Sequence, residues 1–387
     1  MIKLILFCTH NSLKQKYLGS NKVIDFINVD KNAKIIVAMS GGVDSSLTLA
    51  LLQEAGYTNI VGITYVLYDN DIERGIIRKD VTALEDAKKV ADLFNIPHIA
   101  IESLKDSFMQ EVITPFLDGY SKGITLNPCI RCNRFIKFGA MFNELTKLEG
   151  DILVTGHYIK WLPGETGLGE IYAGVDGRDQ SYFLSQVRRE VLQKVRFPLA
   201  TYNKDLVRAE ASRFGIHVAE KKSSSGICFN GKDSYANIVS HTFTSDTKGN
   251  IKTVDGKILA THEGIHHFTV GQRKGIGISG TEEPYFVIDI NPNTFDVTVG
   301  AKEHLATREV ILSDVNWLGD EPFTTKMTLL AKVRASQPPI IAEIIPMDNN
   351  QCKVIFSKDV YGVAKGQTCA FYKEVGNYKR LMGGGYI

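Results

Sequence analysis

The chain has 387 residues, 44% of them hydrophobic, enough to bury a sizeable core and to predict two or three domains. With 45 Lys and Arg against 43 Asp and Glu, the formal charge of +2 is too balanced to mark a polyanion partner by itself, so any nucleic-acid surface must be local. Six cysteines, at 8, 129, 132, 228, 352 and 369, do not form the dense framework of a small secreted domain, and no run approaches the ~18 apolar residues of a membrane span. The expectation is a soluble chain, without membrane contact, in the reducing cytoplasm.

Residues 1–32 begin with a short apolar run and then carry Lys14, Lys16 and Lys22 before Asp25. The run is too short for a secretory signal and the stretch lacks Arg, so it reads as an N-terminal extension. From Lys34 the pattern is strand, loop, helix, strand. "KIIVAMS" predicts a strand, Ser45 to Ala55 a helix stopping at Gly56, and "NIVGITYVLY" the next strand. Ala83, Leu84, Ala87, Val90, Ala91 and Phe94 give a helix ending before Pro97, followed by "HIAIE" as a strand. Helices over 104–119 and 134–148 precede the strand "DILVTGHY". Strands alternating with helices predict an α/β domain with a parallel sheet, its ligands beyond the carboxyl ends of the strands.

Past residue 197 one more helical unit, "FPLATYNKDLVRAEASRFGI", leads into the small-residue loop "KKSSSGICFNGKDS". From Ile251 short alternating runs take over. "YFVIDI", "NPNT" and "FDVTVG" read as a hairpin, and "MTLLAKVRA", "PIIAEIIP", "CKVIFS" and "TCAFYK" continue as strands of a barrel-like β domain. The division expected is 1–32 extension, 33–198 nucleotide domain, 199–301 central domain and 302–387 β domain.

The sharpest motif is "SGGVDSS", Ser40 to Ser46, between the first strand and the first helix. Gly41 and Gly42 permit a tight turn with outward-pointing N–H groups, and the helix adds its positive end, so an anion binds there. The loop is not a Walker A motif, because no Lys follows to reach the outer phosphates. Holding two phosphates as a unit suits attack at the α-phosphorus of ATP, with pyrophosphate leaving. The plainer reading is a Gly-Gly turn with a Ser or Asp cap.

"SGGVDSS" with "NPCIRCNRFIKF", "VTGHY", "DQSYFL", "SSGICF", "GQRKGIGI" and the closing "GGGYI" resembles the tRNA-specific 2-thiouridylase family of the PP-loop ATP pyrophosphatases, from about residue 33 to the C-terminus. The resemblance implies a PP-loop domain, a small central domain and a C-terminal β-barrel-like domain. It also implies adenylylation of the wobble uridine O2 by ATP with Mg2+, replacement of that oxygen by persulfide sulfur, and a monomer that binds a tRNA anticodon arm and a persulfide donor.

The resemblance makes Cys228 the persulfide carrier and Cys132 the cysteine beside the target base. Independently, a persulfide needs a second thiol, distant in sequence, to release its sulfur. Arg131 and Arg134 beside Cys132, near a helix start, predict a lowered thiol pKa. Cys129 departs from the Asp many relatives carry there. C-x-x-C is also half of a zinc site, although no second pair completes it, and Cys129, Cys132 and Cys228 are three ligands for a [4Fe–4S] cluster. The cluster stays open as an alternative to the persulfide chemistry.

ATP contacts implied are Ala38, Met39, Ser40, Gly41, Gly42, Val43, Asp44, Ser45, Tyr65 and Gly156, the last with His157 at a strand's carboxyl end. tRNA contacts implied are Asn127, Pro128, Cys129, Arg178, Asp179, Gln180, Arg273, Lys274, Arg334 and Ala335. Ala335 stands where an aromatic residue often follows the Arg. Each has a bland counterpart: a core tyrosine for Tyr65, a helix start for 178–180, a solvent loop for 273–274. A nitrogen-transferring synthetase of the same loop class and a non-catalytic RNA-binding protein with a structural metal are the rival functions.

Overall fold

The computed structural model describes residues 29–69, 82–164, 168–174, 178–221, 226–229, 238–240, 247–278, 280 and 283–387. Residues 1–28 of the expected extension, and Ser223, Ser224 and Ser225 of the "SSSGICF" motif, lie outside them. Among the described residues no helix is long and apolar enough to cross a membrane.

Strand β1 (Ile35–Ala38) is apolar throughout and nearly fully buried, the pattern of a strand covered on both faces. It pairs in parallel with β2 (Ile60–Tyr65) on one side and β4 (Ile152–Thr155) on the other. β3 (His98–Ile101) and β7 (Val195–Arg196) complete the parallel sheet in the order β3-β2-β1-β4-β7. Successive residues of β1 enter different cores: Ile36 packs with Ile63, Phe108, Phe116 and Leu153, whereas Ile35 and Val37 pack with Leu47, Ala87 and Val207. Strand order reverses between β1 and β4, so the crevice above their carboxyl ends is the place for a ligand.

Helix Val43–Glu54 follows β1 at once, and Gly56 closes it with φ +85°. The helix expected over 134–148 starts earlier. Asn127 caps it by accepting the Cys129 N–H at 3.1 Å, Pro128 takes its first position, and helical backbone runs from Pro128 through Lys147 with a π-type stretch over Cys132–Ala140. Pro128 fits a helix start because the N–H it lacks has no intrahelical partner there.

β8 (Gly249–Thr253), β9 (Ile258–His262), β10 (Phe286–Ile290) and β11 (Val297–Gly300) form a separate four-stranded sheet, in which β10 and β11 are the expected hairpin. β12 (Ala306–Trp317), β13 (Met327–Lys332), β14 (Ile340–Met347), β15 (Gln351–Tyr361), β16 (Thr368–Val375) and β17 (Tyr378–Tyr386) close on themselves through β12–β17 pairing. Closure leaves these six antiparallel strands without an open edge. Sequence reading missed the hairpin β5 (Ile159–Pro163) and β6 (Gly169–Ala173), which extends this sheet through Arg380 opposite Tyr172. Behind that seam the buried Arg380 guanidinium meets Glu170 at 3.1 Å and Asp320 at 2.6 Å.

Candidate active site

The phosphate loop is held shut by its own hydroxyls. Ser45 Oγ accepts the Ser40 N–H at 3.1 Å and donates to the Gly42 carbonyl at 3.1 Å. Ser46 Oγ reaches the same carbonyl at 3.0 Å. Gly41 has φ +70°, and a Cβ there would fall 2.1 Å from the Ala83 carbonyl oxygen, so only glycine lets the turn pass beneath the next helix. The Ser or Asp cap of the plainer reading is absent: Gly42 is the N-cap, without a side-chain hydrogen bond. The first N–H groups of the helix are thereby left for an anion. Gly156 lies against this turn, where a Cβ would meet Asp44 C and Ser45 N at 3.0 Å.

Two lysines far along the chain supply positive charge beside the loop. Lys204, buried at the start of helix Lys204–Arg213, donates to Asp44 Oδ1 at 2.7 Å, and the Tyr158 hydroxyl donates to the same oxygen. Lys221 donates to Asp86 at 2.6 Å and Thr82 at 3.2 Å. Burial works against ionisation of Asp86, but hydrogen bonds from Lys221, His217 and Thr82 prevail and hold its carboxyl well below the usual range. Sequence reading named neither lysine. The only signal for Lys204 was its place at N1 behind the capping Asn203, which tells nothing about a loop 160 positions away.

Ser40, Gly42, Val43, Asp44, Tyr65, Lys204 and Lys221 share one cavity of about 480 Å³ with Pro128, Cys129, Cys132, Lys137, Gln180 and Cys228. Tyr65 caps the end of β2 with a buried hydroxyl that has no partner among the described residues, and burial with the nearby Glu144 charge pushes that phenol up. An unsatisfied donor on the cavity wall suits a polar ligand atom. His157 is held by Thr155 at 2.7 Å between the rings of Phe138 and Phe197; burial, then Lys137, keeps it neutral. Of the other ATP candidates, Met39 is buried with its sulfur against Gly62, and Ala38 joins the core under the loop.

The cysteines need a correction. Cys132 lies one turn inside its helix, and both neighbouring arginines face elsewhere: Arg131 donates to Glu111, while Arg134 bonds Asp314 and Gln186. Phe135 lies between the two guanidinium groups, 4.9 Å from each. Burial pushes the Cys132 thiol up to about 12, with Lys137 pulling the other way, so the expected lowering is reversed. Cys129 is the cysteine in the first helical turn. It and Cys228 are exposed, yet the cavity wall around them raises both thiols. Tyr68 donates to the Cys228 carbonyl at 2.6 Å and stacks on Phe108, while Phe229 contacts Phe108 and Phe116. Cys228 and Phe229 thus rest on an aromatic base.

The remaining candidates divide. Gln180 accepts the Tyr158 N–H at 2.9 Å, and Asp179 accepts the Ser181 and Gly174 N–H groups, so both fix the backbone beside the cavity. Arg178 is exposed. Arg273 and Lys274 are exposed on the loop after Thr269. Arg334 ties that loop to the barrel, donating to Val270 O at 2.7 Å and Gly362 O at 2.8 Å, and Ala335 packs against the main core.

Among the described residues no three His, Cys, Asp or Glu side chains converge to hold a metal ion. Cys129, Cys132 and Cys228 therefore do not present the three corners a [4Fe–4S] cluster takes. For Mg2+ the loop offers the single carboxylate Asp44, with one oxygen already engaged, so the ion fits only as a companion of the ATP phosphates.

Family models match in sequence order: a tRNA methyl transferase HUP domain over residues 33–232, a tRNA methyl transferase PRC-barrel domain over 237–301 and an aminomethyltransferase beta-barrel domain over 307–387. The tRNA-specific 2-thiouridylase MnmA of Paracoccus denitrificans is 38% identical over 389 residues, covering 98% of this chain and 98% of the relative. That of Rickettsia massiliae is 40% identical over 365 residues, covering 92% of this chain and 97% of the relative.

Proposed function

The chain belongs to the tRNA-specific 2-thiouridylase family, ATP-dependent tRNA-uridine 2-sulfurtransferases of the PP-loop class, and we propose that its cavity performs both halves of that reaction. The supporting observation is that the anion-binding loop and three cysteines line the same enclosure of about 480 Å³. Activation and sulfur delivery at one carbon require that proximity.

ATP lies with its outer phosphates on the N–H groups at the start of helix Val43–Glu54, beside Lys204 and Lys221, and with its base toward Tyr65. Mg2+ accompanies those phosphates and offsets their charge. The wobble uridine, turned out of the anticodon arm, loses its N3 proton and attacks the α-phosphorus through O2; pyrophosphate leaves into the cluster of N–H and ammonium donors. The terminal sulfur of a Cys228 persulfide then attacks C2, and AMP departs with the former O2. Cys132 thiolate attacks Cys228 Sγ, the S–S bond breaks, and its electrons complete the thiocarbonyl. The products are 2-thiouridine, AMP, pyrophosphate and a Cys132–Cys228 disulfide. The persulfide comes from a separate donor protein, and the reaction is cytoplasmic.

Units 33–198, 199–301 and 302–387 grip the RNA in this proposal, with Asn127, Pro128 and Arg178 nearest the base and Arg273, Lys274 and Arg334 on phosphates. Incubation of the protein with tRNA, ATP, Mg2+ and a persulfide donor, followed by nucleoside mass spectrometry, is expected to yield 2-thiouridine that disappears in Cys228→Ala. Equal product from Cys228→Ala sinks the carrier assignment. ATP cleavage that depends on ammonia in place of persulfide favours a nitrogen-transferring synthetase.

A further inference from the structure

The sulfur transfer above leaves Cys129 unused, although its backbone is fixed by side chains on both sides. Its N–H donates to the Asn127 side chain at 3.1 Å and its carbonyl accepts from the Asn133 side-chain amide at 3.0 Å, while the residue itself is exposed. Cys132 stands three positions on, after one helical turn, Pro128–Arg131. With a rise of 1.5 Å per residue, 3.6 residues per turn and a Cα radius of ~2.3 Å, their Cα atoms are about 5 Å apart. That lies inside the ~4.4–6.8 Å range a disulfide bridges. Cys228 lines the same cavity, and its thiol interacts electrostatically with Cys129 and with Cys132. Each described cysteine is a free thiol.

Resting on the persulfide reading, we propose that Cys129 and Cys132 are a recycling dithiol that lifts the disulfide off Cys228 after each sulfur transfer. Resolution leaves Cys132 Sγ bonded to Cys228 Sγ. Cys129 thiolate attacks Cys132 Sγ, the Cys132–Cys228 bond breaks, and Cys228 leaves as a thiolate that takes up the proton Cys129 released. One disulfide is exchanged for another, so no electrons are gained or lost. The two electrons that restore the Cys129–Cys132 dithiol come from an external dithiol reductant attacking the exposed Cys129 sulfur. A bridge between helix and carrier loop is thereby replaced by one within a single helical turn, and Cys228 is free to be loaded again. Cys132, half-buried, interacts electrostatically with both partners, and the two exposed cysteines are the ones open to the donor and the reductant.

The test uses the full-length protein, reduced, loaded with glutathione persulfide, freed of donor and given tRNA, ATP and Mg2+ without reductant. Acid-quenched samples are alkylated, and their cysteines are mapped by mass spectrometry. Wild type is expected to finish with a Cys129–Cys132 disulfide and an alkylated Cys228 in most molecules that delivered sulfur. Cys129→Ser, with Cys129→Ala as a second variant, is expected to stop at the Cys132–Cys228 disulfide with Cys228 closed to alkylation. A wild type that also stops at Cys132–Cys228 overturns the relay and leaves the thiolation mechanism standing. Formation of 2-thiouridine with no disulfide in wild type overturns the persulfide-and-resolver reading, and the relay with it.

Discussion

The cavity above the parallel sheet and the interior of the closed barrel both collect cysteines, and they treat them differently. Cys352 and Cys369 are 0% exposed among Leu312, Val354 and Phe371, and there the sulfur serves as a small apolar filler. Cys129 and Cys228 are exposed to a space lined by Lys137, Lys204 and Lys221. Surroundings decide what a thiol does: the barrel closes every route to the sulfur, whereas the cavity leaves two of its three open.

Alkylation by iodoacetamide should separate the two enclosures most widely. Cys129 and Cys228 should react on the order of 10³-fold faster than Cys352 and Cys369, which become accessible only through opening of a stable barrel. Peptide mapping against time measures this, and similar rates at all four would remove the distinction. A smaller effect is expected at the phosphate loop. Lys204→Ala removes a cation and leaves Asp44 with fewer partners, so pyrophosphate release should fall about 10²-fold, the usual loss when one charge-stabilising donor is removed. Quench-flow assay of labelled ATP reads it, and an unaltered rate would take Lys204 out of the site.

The next contrast lies within the cavity. Burial holds the Cys132 thiol up near about 12, so its thiolate fraction grows with pH throughout the neutral range. The step that releases sulfur from the carrier should accelerate about tenfold per pH unit between about pH 7 and 9. A flat profile in single turnover would mean that bound tRNA or ATP supplies a base that lowers the thiol. The smallest effect belongs to the barrel. Cys352→Ala should cost about 1 kcal/mol of stability in denaturant titration, the middle of the range for single substitutions, with thiolation per folded molecule unchanged. Lost thiolation in a folded Cys352→Ala protein would link the two enclosures.

Much of this was legible in local pattern. Five apolar residues before "SGGVDSS" mark β1 and the loop after it, because a buried parallel strand and a glycine turn are each specified within a few residues. The β10–β11 hairpin was equally plain, its turn falling at "NPNT". The helix start was misplaced by six residues because the expected helix began at Arg134, whereas Asn127 and Pro128 already form a capped first turn. That shift exchanged the positions of Cys129 and Cys132 relative to the helix end.

The sequence by itself determined the glycine turn at 41–42, the alternation of strand and helix, and the presence of cysteines suited to sulfur transfer, since each rests on backbone preference or residue chemistry. Tertiary structure decided which charges reach them. Arg131 and Arg134, adjacent to Cys132 in the chain, are taken by Glu111 and Asp314, while Lys204 and Lys221 arrive at the loop from a later helix and the segment that follows it. The hairpin at 159–173 likewise gave no sign that it would extend the barrel sheet through Arg380. Electrostatic influence falls with distance in space, and only the folded chain sets that distance.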